Sequence, residues 1–84
     1  MPRYHFHTAI GAQEISDPDG IVLRDPDQAW ETARRMARAL VEAAGADQAR
    51  LLAAHLRVAD EAGETVLEFP FAEALDGSGG VRRR

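Results

Sequence analysis

Residues 25–45, DPDQAWETARRMARALVEAAG, decide the fold. Asp25 can cap a helix, Pro26 suits its first turn, and Gln28 follows the cap by three residues. Ala29, Trp30, Ala33, Met36, Ala37, Leu40, Val41 and Ala44 then recur at three- and four-residue spacing, which predicts one buried face. Asp27, Glu31, Arg34, Arg35, Arg38 and Glu42 fall on the other face. Glu31 and Arg35 have the i,i+4 spacing of an ion pair worth about 0.2–0.5 kcal/mol. Gly45 is the natural stop. A helix with one apolar face needs a second layer to bury it.

The flanks supply that layer. Upstream, Tyr4, Phe6 and Thr8 alternate with Arg3, His5 and His7, the period of a strand. Gly11-Ala12 is a turn, and a short return strand is expected around Ile15. Asp17-Pro18-Asp19-Gly20 is turn chemistry, because Pro presets φ and Gly accepts φ > 0. Ile21 to Leu23 either resumes the strand or leads into the helix. Downstream, residues 46–53 read as an irregular or short helical connection. Ala54 to Asp60 reads as a third strand, with Ala54, Leu56 and Val58 on one face and His55 and Arg57 on the other. Asp60-Glu61-Ala62-Gly63 is a hairpin loop, and Glu64 to Phe71 the fourth strand, with Thr65, Leu67, Phe69 and Phe71 as its apolar stripe. Pro70 places that strand on an edge or ends it. Ala72 to Leu75 forms one closing helical turn. The expected fold is α+β, ordered ββαββ: a small antiparallel sheet of three or four strands with one amphipathic helix packed on one face. His5, His7, His55, Arg57 and Glu68 would share the other face. Tyr4, Phe6, Trp30, Phe69 and Phe71 are expected in the core.

At 84 residues the chain holds one domain, here 1–75, followed by a flexible basic tail, 76–84. It has no cysteine, so neither disulfides nor thiolate metal sites can stabilise so small a core. All ten basic side chains are arginine. The tail carries one Asp and three Arg, so residues 1–75 hold −6 against a total of −4. An acidic body argues against nucleic acid, which needs a positive footprint. The opening ten residues are too short and polar for a signal peptide, and no run of about 18 apolar residues exists to span a membrane. A cytoplasmic location is expected.

Three blocks of the chain resemble a family of short bacterial proteins classed only as a domain of unknown function. The opening Met1-Pro2-Arg3-Tyr4-His5-Phe6-His7 is similar to their M-P-R-Y-F-F-H, with His5 in place of the usual aromatic. Asp17-Pro18-Asp19-Gly20 resembles their D-x-x-G turn. Residues 58–63 and 66–74 resemble their closing V-x-D-E-x-G and L-P-F-x-E-A. The resemblance spans roughly residues 1–75 and implies no activity, cofactor or partner.

Two constellations carry chemistry. His5 and His7 form an H-x-H pair that can offer two imidazoles to one metal, with His55 as a third ligand if the strands are neighbours. Set against this is a set of sheet-surface histidines sharing no ligand. Arg34, Arg35 and Arg38 on the helix, with Arg82, Arg83 and Arg84 in the tail, could meet phosphates. Set against this is a solvated helix face on which Asp27, Glu31 and Glu42 neutralise the arginines. No carboxylate pair, nucleophile or phosphate-cradling glycine loop is spaced for catalysis, and no cofactor is implied. The expected function is that of a non-catalytic interaction module, a homodimer or an adaptor for a protein partner. A histidine metal-binding protein and a weak nucleic-acid-binding protein are the alternatives.

Overall fold

A computed structural model describes residues 1–74. The strands are β1 (Arg3–Ile10), β2 (Gln13–Ile15), β3 (Ile21–Val22), β4 (His55–Ala59) and β5 (Thr65–Pro70). The helices are α1 (Pro26–Ala43), α2 (Gln48–Leu52), which follows a 3-10 turn at Gly45–Asp47, and α3 (Phe71–Ala74). The sheet is antiparallel in the order β2-β1-β4-β5, with β3 pairing β1 beyond the end of β2. The α+β layering is therefore as expected, and Ile21–Val22 resumes the sheet as a fifth, two-residue strand. Residues 76–84, expected to form a flexible tail, lie outside the described residues.

α1 begins as its sequence dictates. The Asp25 carboxylate accepts from the Gln28 amide at 2.8 Å. Gln28 reaches back to the Arg24 amide, also at 2.8 Å, one residue upstream of the cap itself. Gly45 ends the helix with φ +57°, and the Val41 carbonyl accepts from both the Ala44 amide and the Gln48 side chain. The i,i+4 ion pair that forms is Arg38–Glu42, at 3.1 Å, rather than Glu31–Arg35.

The core lies between α1 and the sheet. Tyr4 and Phe6 from β1, Leu56 and Val58 from β4, and Phe69 from β5 meet Ala29, Ala33, Ala37 and Val41 of α1. Alanines on the helix let its backbone sit close to the large sheet residues. Burying each aromatic ring stabilises the fold by roughly 1.5–3 kcal/mol. Two aromatics depart from expectation. Phe71 is buried, but as the first residue of α3 rather than the last of β5. Trp30 is 41% exposed. Its ring meets that of Phe69 edge-on at 5.8 Å, and among the described residues β5 is the last strand, so none of their sheet lies beneath its far side.

Thr65 also departs. The register of β4 and β5 shifts between Val58 and Ala59, so Leu67 lies opposite Val58 while Thr65 lies opposite Ala59. One extra residue in a strand reverses the faces beyond it. Thr65 therefore leaves the apolar stripe and bonds Arg57 on the other face.

Candidate functional site

The sheet face away from α1 is polar. Cross-strand register sets His7 opposite Arg57, Arg57 opposite Glu68, His5 opposite Ala59, and Ala9 between Glu14 and His55. Residues directly opposite across a ladder share a face, so His5, His7, Glu14, His55, Arg57 and Glu68 lie together there. Sequence alternation had placed five of these six; Glu14 was missed because β2 is too short to show a period.

Arg57 is the hub of this face. Its Nε and Nη2 donate to the two Glu14 carboxylate oxygens at 2.7 and 2.9 Å, and its Nη1 donates to the Thr65 hydroxyl at 3.1 Å. The fork spans three strands, and such bidentate geometry favours charge on both partners. The Arg57 hydrogen bonds hold the Glu14 carboxyl below its ordinary range, and Glu14 raises Arg57 in turn. Three of its five N–H donors are thus engaged within the sheet. His55 Nε2 stands 4.0 Å from a Glu68 carboxylate oxygen.

The most connected residue is Asp17, which the sequence marks only as the start of a turn. β1 pairs β3 through residues 3 and 4 and β2 through residues 8–10, on one edge. Asp17 fills the gap between them. Its carboxylate accepts from the Phe6 amide at 3.0 Å and from the Asp19 and Gly20 amides at 3.3 and 3.2 Å. Its carbonyl bonds His5 Nδ1 at 2.8 Å, and its amide bonds His7 Nδ1 at 3.0 Å. The two imidazoles are stacked, 6.1 Å between centroids and 8° between planes. Partial burial disfavours the Asp17 carboxylate, but the amides of Phe6, Gly20 and Asp19 outweigh it, and the carboxyl is held below its ordinary range. Gly20 closes the turn at φ +70°, where a Cβ would lie 2.8 Å from the Tyr4 carbonyl oxygen.

The three histidines thus share a face, as expected, but do not gather around a point. His5 and His7 each turn Nδ1 to the Asp17 backbone, and His55 turns to Glu68. Among the described residues no three His, Cys, Asp or Glu side chains are grouped to hold a metal ion. Arg34, Arg35 and Arg38 lie on α1, on the other side of the molecule from the histidines, and Arg38 is paired with Glu42. Arg82, Arg83 and Arg84 lie outside the described residues. Among the described residues no helix is long and apolar enough to cross a membrane.

A third region is apolar. Ile15 lies opposite Thr8, and Ile21 opposite Tyr4, so both stand on the face that carries the helix. α1 covers β4 and β5 but not this flank, and Ile15 is 62% and Ile21 38% exposed. Beside it, Ile10, Leu40 and Leu51 wall a pocket of about 300 Å³ with Asp47 and Arg50 also in its lining.

No curated protein matches the chain, and no solved structure does. The family described as Domain of unknown function (DUF6894) matches residues 3–72, and the chain belongs to that family.

Proposed function

We propose that this DUF6894 member is a non-catalytic interaction module that pairs with a second copy of itself through the flank of the sheet that α1 leaves bare. The observation that carries this reading is the exposure of Ile15 and Ile21 on the core-facing side of the sheet. A sheet wider than its one helix leaves apolar surface in water, and a two-fold copy covers such surface with the same patch.

The edges argue for a face rather than a strand as the contact. β5 is bulged and ends on Pro70, which has no amide hydrogen to offer. On the opposite side, β2 and β3 are three and two residues long, and Asp17 already takes the Phe6 amide between them. These features discourage strand addition. The polar face is satisfied internally by the Arg57 fork and the Asp17 bonds, which leaves the apolar flank as the adhesive surface.

Sedimentation velocity of the full chain tests this. The expected result is a dimer at high micromolar concentration that Ile15→Glu converts to a folded monomer. A wild-type monomer at that concentration, or a dimer untouched by Ile15→Glu, would overturn the reading.

A further inference from the structure

Asp17 meets His5 and His7 through groups whose polarity is fixed. A backbone amide can only donate, so His7 Nδ1, 3.0 Å from the Asp17 nitrogen, accepts, and the His7 proton sits on Nε2. A carbonyl oxygen can only accept, so His5 Nδ1, 2.8 Å from it, carries a hydrogen. One residue of the loop therefore holds two stacked imidazoles in opposite states. His5 keeps its bond whether neutral or charged. His7 keeps its bond only when neutral.

We propose that His7 is a proton-operated latch on the loop at residues 16–20: protonation of its Nδ1 sets N–H against the Asp17 N–H, breaks that bond and loosens the loop's hold on β1, while the Arg3, His5 and Phe6 bonds remain. This device is independent of the dimer reading, because it concerns contacts within one chain.

The groups facing His7 favour such a response. His5 stacks on it from the same strand. Arg57 lies directly opposite on β4, with His55 beyond it. Asp17 faces it from the loop, Glu14 from β2, and Glu68 stands behind Arg57 on β5. Both nearby carboxylates are engaged: Glu14 by Arg57, Asp17 by three backbone amides. A proton on His7 thus arrives between Arg57 and His5, and the nearby Glu14 charge is already bonded to Arg57. Amide bonds keep the Asp17 carboxyl ionised well below the range in which imidazoles titrate, so changes of the loop in that range belong to the histidines.

Nitrogen NMR of the full chain between about pH 8 and pH 5 tests the latch. At the upper limit His7 should show an unprotonated Nδ1 and His5 a protonated one. As pH falls, the Asp17 and Gly20 amide signals should move with the same midpoint as the His7 ring. In His7→Asn, whose side-chain oxygen can accept without titrating, that movement should vanish. Three results would each overturn the proposal: a proton on His7 Nδ1 at the upper limit, loop amides that stay still while His7 titrates, or an unchanged movement in His7→Asn. The first two are read on the wild-type chain and decide the matter even if the variant fails to fold.

Discussion

Two turns of this molecule share one local recipe and use it differently. Asp17-Pro18-Asp19-Gly20 and Asp60-Glu61-Ala62-Gly63 each begin on Asp and end, three residues on, with a glycine at positive φ. In both, the Asp carboxylate accepts from amides within the next few residues. At Asp60 every bond stays inside the hairpin: the carboxylate takes the Ala62 and Glu64 amides, and the backbone closes the loop at Asp60–Glu64 and Gly63–Asp60. At Asp17 the same carboxylate also reaches the Phe6 amide, and the Asp17 backbone reaches two histidines ten and twelve residues away. One turn joins two strands. The other substitutes for a missing stretch of strand. A motif of four residues therefore fixes a local shape, while the gap it faces fixes its work.

The largest expected contrast is between Asp17→Ala and Asp60→Ala. Removing the Asp17 carboxylate strips the Phe6, Asp19 and Gly20 amides of their acceptor, in the gap between β2 and β3. We expect a loss of about 3 kcal/mol, seen as a lower urea midpoint at unchanged slope. At Asp60 the orphaned amides are exposed and water can take them, so the loss should be about 1 kcal/mol. Equal losses would mean that the Phe6 bond contributes nothing and that β1 does not need Asp17.

Gly20→Ala should follow in size. The substitution meets two penalties: a positive φ of 70° and a Cβ only 2.8 Å from the Tyr4 carbonyl oxygen, which is backbone and cannot swing aside. About 2–3 kcal/mol is expected in the same urea assay. Asp17 also has a signature in acid. Its folded-state carboxyl lies below its ordinary range, so the unfolded chain takes up the proton first. The stability it contributes is complete above the unfolded carboxylate value of about 3.9 and is lost as pH falls through the lower folded value. Asp17→Asn should therefore flatten the acid limb of a stability–pH curve below about pH 4. A limb as steep as in the unmodified chain would assign acid sensitivity to other carboxylates.

The contrast between the turns also marks how far the chain could be read. The cap at Asp25, the stop at Gly45, the strand alternation around Phe6 and Leu56, and the glycine turns follow from neighbours within a few residues. So does the placing of His5, His7, His55, Arg57 and Glu68 on one face, since it needs only strand phase. What could not be read depends on register across the chain. The bulge that moves Thr65 to the Arg57 face adds a residue without changing the local pattern. Glu14 finds Arg57 43 residues away. Trp30 sits on the periodic apolar face of α1, yet its exposure is set by where the sheet ends. Asp17 looks like Asp60 in sequence, and the amide that distinguishes it belongs to Phe6. The histidine pair was legible as a pair, but its partners were not: its ring nitrogens turn to a backbone segment that no spacing rule selects.

Gly63 gives the smallest effect and the sharpest separation of causes. Its φ is +85°, but a Cβ there meets nothing within 4 Å. The cost of Gly63→Ala is therefore conformational alone, about 1 kcal/mol. Asn tolerates left-handed backbone better than Ala, so Gly63→Asn should recover part of that loss. At Gly20 the same exchange should recover nothing, because Asn carries the same Cβ toward the same Tyr4 carbonyl. Recovery at both sites would show that the 16–20 loop can draw back from β1 as freely as the Asp60 hairpin moves in water, and that its close seat on the strand is not what holds it. Recovery at Gly63 alone would place the difference between the two turns in one steric contact, the seat of Gly20 against the carbonyl of Tyr4.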